Sequence, residues 1–164
     1  RTAGKAASGA RHMASLFNDL RWQSVAVRKH RGMFFDADHR GWRWKVVEDG
    51  NGNGLRPAEV RDGTDPVLAG PYRLEDTVQG VHLGFLEHCR IPRIPPRRGF
   101  IDDFQDPVRF VNSNIISFSP LGRSSSGTLY VTDGMTVQFG IVLFGPSTRV
   151  RVWRFDPEAM RWTL

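Results

Sequence analysis

Between residues 10 and 31 the chain repeats at a helical period. Ala10, Met13, Phe17, Leu20, Ser24 and Val27 return at spacings of three and four, Leu16 widens the stripe, and Arg11, Arg21, Arg28 and Lys29 lie mostly off it. This predicts an amphipathic helix stopped at Gly32, with His30 and Arg31 near its negative end. Residues 1–9 carry small side chains that either extend the helix or fray.

After Gly32 the period becomes two. "MFFDA" (33–37) and "WRWKVVE" (42–48) read as paired strands turning between Asp38 and Gly41, with Trp42, Trp44 and Val46 on one face. "VHLGFL" (81–86), "IISF" (115–118), "TLYVT" (128–132), "TVQFGIVLFG" (136–145) and "RVRVWRF" (149–155) are further strands. Residues 128–155 predict a three-stranded antiparallel meander, its first turn a tight primed hairpin at Asp133-Gly134. The proline-rich stretch 87–113 cannot be a central strand and reads as a long surface insertion, basic first and acidic second. Arg90, Arg93, Arg97 and Arg98 are expected there on the surface, available to Asp102, Asp103 and Asp106 or to a partner subunit. The fold class is α+β: an N-terminal amphipathic helix packed on antiparallel sheet, in a single domain over 1–164.

Charge is uneven. The 164 residues carry a net +6, yet residues 32–164 balance sixteen basic against sixteen acidic groups, so the excess belongs to the helix. A nucleic-acid function does not follow from that total. The single cysteine, Cys89, rules out an intrachain disulfide, and no apolar run reaches the ~18 residues of a membrane span.

"EDGNGNGLRPAEV" (48–60) holds the best metal candidate. Asp49, Asn51 and Asn53 alternate before Gly54 like the first half of a calcium loop, with the Leu55 carbonyl next and Glu59 one residue short of the closing position. The competing reading is a polar turn before a short helix opening at Pro57. It lacks the spacing of a phosphate or dinucleotide loop. Asp36, Asp38 and His39 fit a hairpin turn better than a metal site, and His88 and Cys89, adjacent on an extended chain, point apart. "SPLGRSSSGTL" (119–129) reads as a loop between strands. In "TRVRVWRF", Arg149, Arg151 and Trp153 share one face with Phe155, a pattern that suits phosphate contact and base stacking, or equally a charged edge strand.

The order of these segments resembles the GspH/FimT family of type IV pilin-like proteins over about Ala10–Trp162. The helix "RHMASLFNDLRWQSVAVRKH", then "WRWKVVEDGNGNGLRPAEVRDGTDP", "GPYRLEDTVQGVHLGF", "SNIISFSPLGRSSSGTLYV" and a basic final strand before "FDPEAMRW" carry it. The most specific segment is "SFSPLGRSSSGTLYV". The resemblance implies a pilin-like head domain (32–164) on the outer half of a spine helix (1–31). It implies a structural minor pseudopilin, not an enzyme, in the tip of a type II secretion pseudopilus. Its partners would be other minor and major pseudopilins and the inner-membrane assembly platform, with no small-molecule substrate and no cofactor beyond the candidate Ca²⁺. A basic leader and an apolar half-helix are expected upstream of Arg1, placing the head in the periplasm and the anchor in the inner membrane. The family's other implied function is that of a DNA-binding minor pilin with a Gly-Arg-x-Arg motif; here Thr148 stands for the glycine, before Arg149 and Arg151.

Overall fold

In a computed structural model, which describes residues 2–111 and 114–164, the apolar stripe folds as helix α1, Thr2–Val27. Ala6, Ala10, Met13, Phe17, Leu20 and Ser24 are buried along it. The helix ends at Val27, earlier than the Gly32 stop that the pattern predicts. Ser24 contributes to that exit: its hydroxyl donates to the Leu20 carbonyl (2.8 Å) and accepts the Arg31 amide (3.2 Å), while Arg28 takes a left-handed φ of 60°. Val27 is consequently exposed rather than part of the stripe. Gly32 serves a different purpose. It lies inside a strand, where a Cβ would stand 2.2 Å from the Ile116 carbonyl oxygen of the neighbouring strand.

Strands β1 (Arg31–Asp38) and β2 (Gly41–Glu48) form the expected hairpin, Asp38 opposite Gly41. The chain continues through helix α2 (Pro57–Asp62), strand β3 (Val67–Tyr72), the one-turn α3 (Leu74–Thr77) and strand β4 (His82–Leu83). Strands β5 (Val108–Phe110) and β6 (Ile115–Phe118) precede the meander of β7 (Gly127–Thr132), β8 (Gln138–Phe144) and β9 (Arg149–Asp156), and β10 (Arg161–Thr163) follows it. Sheet one runs β3-β2-β1-β6. Sheet two runs β10-β9-β8-β7-β4, with β5 also paired to β7. The α+β reading holds, with two sheets beneath one helix.

Two strand-level expectations change. The "VHLGFL" strand shrinks to His82–Leu83, because beyond Gly84 a side chain holds the segment: Gln138 Oε1 accepts the Leu86 amide at 2.8 Å, and Nε2 donates to the carbonyls of Gly84, Val131 and Phe139. The Asp133-Gly134 turn is a longer loop, since β7 and β8 pair only to Thr132 and Gln138. Its Asp133 carboxylate accepts the amides of Met135, Thr136 and Val137, which a two-residue turn could not present.

The largest correction concerns 87–113. Rather than a surface excursion, it closes a second core. Ile91, Ile94 and Ile101 are buried with Phe85, Leu86, Tyr130, Phe155 and Trp162 on the outer face of sheet two. Trp162 Nε1 donates to the Pro92 carbonyl at 2.7 Å, and Pro92 bridges Phe100. The prolines are compatible with this because residues 87–107 lie across the sheet, and only Val108–Phe110, past the last proline, join its ladder as β5. Arg90, Arg93, Arg97 and Arg98 are exposed, as expected. The aspartates serve Arg109 instead, which reaches the Asp102 carboxylate at 3.4 Å and the carbonyls of Asp102, Asp103 and Asp106.

The main core is shared. Met33, Phe35, Trp44, Ile116 and Phe118 of sheet one, and Val108, Phe110, Leu129, Val131, Phe139, Ile141 and Leu143 of sheet two, meet the α1 stripe. Phe17 lies between them, edge-on to Phe110 (6.5 Å between centroids) and tilted on Phe118 (6.2 Å). Truncating this ring, Phe17→Ala, is expected to cost about 3–5 kcal/mol, and Ile91→Ala about 2–5 kcal/mol, by denaturant unfolding. A loss of under about 0.5 kcal/mol at Ile91 would return the 87–113 segment to the surface.

Candidate functional site

The loop after β2 is built around carboxylates. Asp49 Oδ1 accepts the amides of Asn51 (3.2 Å) and Gly52 (3.1 Å), and Oδ2 that of Gly54 (2.8 Å). Asp65, fully buried, accepts the amides of Gly50 and Arg56. Burial alone would raise the Asp49 carboxyl, but the three amides, with His30 nearby, hold it below its usual range. Asn51 and Asn53 both donate to Glu59 Oε2, at 2.9 and 3.3 Å, and Glu59 Oε1 is buried without a partner. Leu55, whose carbonyl was a candidate ligand, turns its side chain into a third cluster with Phe34, Val47, Val60 and Ile115. The loop therefore acts as a lid on the outer face of sheet one. Pro57 opens α2 as the sequence predicts.

The other small candidates dissolve into structure. Asp36 pairs with Arg43 at 2.8 Å, and Asp38 bonds the buried Arg73 and lies 3.8 Å from Arg43. The Asp38 carboxyl is held at about 2, chiefly by the Arg73 hydrogen bond, against an ordinary 3.8. Cys89 is half-buried against the second core and burial pushes its thiol up, the opposite of what a nucleophile needs. In the 119–129 loop, Ser119 Oγ accepts the amides of Leu121 and Arg123 and so caps its own turn.

The arginines of β9 are the residues that come together. Strand β10 pairs with β9 only along Arg154–Asp156, so among the described residues the Arg149–Trp153 part of β9 pairs with β8 alone and is an edge, as the charged-edge reading has it. Cross-strand register places Arg109, Thr128, Val142 and Arg151 in one row across β5, β7, β8 and β9, on the outer face of sheet two. Arg149 stands opposite Phe144 in the next row. Trp153, opposite Gly140, is half-buried against the second core, so it supports the wall of this area rather than offering a free ring. The proline-rich segment brings Arg93 and Arg97 to the same place. An open groove of 470 Å³ is lined by these two, Ile94, Arg109, Tyr130 and Phe144, among others. A second hollow shares Val142 and Phe144 with it and adds Arg149 and Arg151.

Burial pushes the Tyr130 phenol up at the back of the groove, opposed by Arg109, a Thr128 hydrogen bond, Arg97 and Arg93. Three guanidinium groups thus act on one buried hydroxyl. Thr148 adopts a left-handed φ of 53°, the conformation a glycine there would take freely. The loop before Arg149 therefore keeps that backbone bend without the glycine.

Compared with known proteins, the chain matches no family model, no curated protein and no solved structure. The site rests on geometry alone.

Arg109 and Phe144 were missed as site residues, and Arg93 and Arg97, expected on the surface and open to a partner subunit, were not grouped with Arg149 and Arg151. The signal was present: the apolar residues of "RIPRIPP" mark a buried segment, and the alternation of Val108-Arg109-Phe110 marks a strand.

Two outcomes test these assignments. Asp49→Ala strands three loop amides and is expected to lower stability by about 1–3 kcal/mol, with Ca²⁺ at about 1 mM leaving the native melting temperature unchanged. A Ca²⁺-selective rise, absent with Mg²⁺ and lost in Asp49→Ala, would make the loop a metal site. The second concerns acid. A depressed folded-state carboxyl contributes stability above its unfolded value and loses it as pH falls through the folded one. Asp38→Asn is therefore expected to lower the melting temperature at pH 7, with the gap to the native protein closing between pH 3.8 and about 2. A gap independent of pH would show that the Arg73 pairing contributes nothing through its charge.

Proposed function

We propose that the chain is the head of a pilin-like subunit, a minor pseudopilin placed in the tip of a pseudopilus that serves protein export across the outer membrane. It works by packing, not by chemistry. The observation that supports this reading is the two-sided use of α1. One face is buried from Ala6 to Ser24 in the core shared by both sheets. The opposite face stays in water and carries Trp22, 60% exposed, and Val25, 39% exposed. A spine helix in a fibre needs this division: one side is core to its own head, the other meets neighbouring subunits.

On this reading the partners are other pseudopilins and the inner-membrane assembly platform, with the head on the periplasmic side. No helix among the described residues is long and apolar enough to cross a membrane. The anchor is then an upstream apolar segment of ~20 residues in the natural full-length protein. Of the basic residues of α1, Lys5 and Arg11, toward its N-terminal end, would stand closest to anionic headgroups.

The experiment is fibre incorporation of the natural full-length protein, measured by shearing fibres from cells. The subunit is expected in the sheared fraction. Trp22→Glu is expected to reduce its share roughly tenfold, the equivalent of about 1.4 kcal/mol of contact, with the melting temperature of the head unchanged. Absence from the fibres, or a natural gene without an upstream apolar segment, would overturn the reading.

A further inference from the structure

The second core covers only part of the outer face of sheet two. Phe85, Leu86, Ile91, Ile94 and Ile101 seal the rows of Tyr130 and Phe155. Beyond them the rows of Val142 with Arg151 and Phe144 with Arg149 remain open, and Phe144 is 55% exposed. Arg93, Arg97, Arg149 and Arg151 have no carboxylate within ion-pair distance among the described residues. Charged groups gathered without partners over apolar surface point to a ligand that brings both carboxylates and apolar groups.

We propose that this groove binds an extended polypeptide segment in which acidic side chains alternate with apolar ones. Three features specify that chemistry. Arg149 and Arg151 are two residues apart on one strand, so their side chains emerge about 6.6 Å apart, the spacing of same-face side chains on an extended peptide. Guanidinium groups match carboxylates with paired N–H donors. Between the two arginine pairs the lining is apolar, from Ile94, Pro95, Val142 and Phe144, and it suits apolar side chains of the ligand.

The third feature separates a peptide from a nucleic acid. The groove is not uniformly positive. At the Arg109 end the Asp102 carboxylate lies 3.4 Å from the guanidinium with its side chain 81% exposed, and Asp103 is exposed beside it. A phosphate backbone carries its charge at every unit and would run onto these aspartates. A peptide can end its acidic run before them. The arginine wall is also fixed in advance: the Arg93 amide donates to the Gly99 carbonyl at 2.9 Å, and the Arg97 amide to the Ile94 carbonyl at 3.2 Å. Little backbone ordering is left for binding. The partner protein would be recognised through such a segment whether or not the head sits in a fibre, so this inference does not rest on the pseudopilin reading.

The test is fluorescence anisotropy of a labelled Asp-Val-Glu-Ile-Asp-Val-Glu peptide with the full chain. Comparison probes are the same peptide with lysine at the acidic positions, one with serine at the apolar positions, and a twelve-nucleotide oligo-dT as single strand and as duplex with oligo-dA. The acidic peptide is expected to bind roughly tenfold more tightly than either altered peptide, because both charge and apolar contacts contribute. The double variants Arg149→Glu/Arg151→Glu and Arg93→Glu/Arg97→Glu are each expected to weaken it by about tenfold or more, and Arg21→Glu on α1 to leave it unchanged. Melting curves check that the variants fold, and the peptide comparison with the native chain stands without them. Equal binding of the lysine or serine peptide, or indifference to both double variants, would overturn the proposal. Oligonucleotide binding that is tighter than the peptide's and lost in the same variants would overturn it in favour of a nucleic-acid groove.

Discussion

Two antiparallel sheets in this protein share one apolar counterpart, the buried stripe of α1, and Phe17 is where they meet on it. Its ring touches Phe110 of sheet two and Phe118 of sheet one. Each sheet has an apolar inner face to remove from water, and a single helix stripe removes both. The chain changes sheet after β3, after β5 and after β6, and these two aromatic contacts bracket the second of those crossings. Gly9 follows from the same constraint: a Cβ there would come within 2.8 Å of Val81 Cγ1, so the helix closes over the core only where the side chain is absent. Gly32 answers to the outer face of sheet one, where a Cβ would stand 2.2 Å from the Ile116 carbonyl oxygen and 2.8 Å from Leu55 Cδ1.

The outer faces are covered by loops, and buried polar groups hold those loops down. Asp49 and Asp65 bind backbone amides of the 49–56 loop, which drops Leu55 and Val60 onto Phe34 and Val47. Gln138 binds the Leu86 amide and three carbonyls, which starts the proline-rich segment across sheet two. In both places a satisfied buried side chain replaces the ladder that an irregular segment cannot form. Sheet one is closed by a short helix and a loop. Sheet two is closed over only part of its width, and the arginine groove is what remains.

Elements with a strong period were legible in the sequence. The α1 stripe, the β1–β2 hairpin and the β7–β9 meander appear where alternation and turn residues place them. The helix end was not, because it depends on the Ser24 hydroxyl reaching Arg31, a contact that a stripe of side chains does not encode. The proline-rich segment was read by what proline forbids. Prolines exclude a ladder, and they do not exclude burial; Ile91, Ile94 and Ile101 are core residues carried on a backbone that pairs with almost nothing. That misreading hid half of the groove. Arg149 and Arg151 were visible from alternation alone, whereas Arg93, Arg97 and Arg109 become their neighbours only through the β5–β7 register and the path of the segment over the sheet.

The groove also explains how residues 32–164, with no net charge, present a positive surface. Residues 32–164 hold as many acidic as basic groups. Several of the carboxylates, however, are used on backbone amides: Asp49 and Asp65 in the lid on sheet one, Asp62 at Thr64, and Asp133 in the β7–β8 loop. Asp36 and Asp38 are taken by Arg43 and Arg73 at the β1–β2 turn. An aspartate that accepts amides keeps its charge but is local and partly shielded, and it is not free to swing toward a distant arginine. Pairing is thus decided by loop geometry before it is decided by charge count. Among the described residues no loop carboxylate comes within ion-pair distance of the arginines of β9 or of the proline-rich wall; Asp102 and Asp103 stand at the Arg109 end instead. The lack of partners is a consequence of where the turns fall.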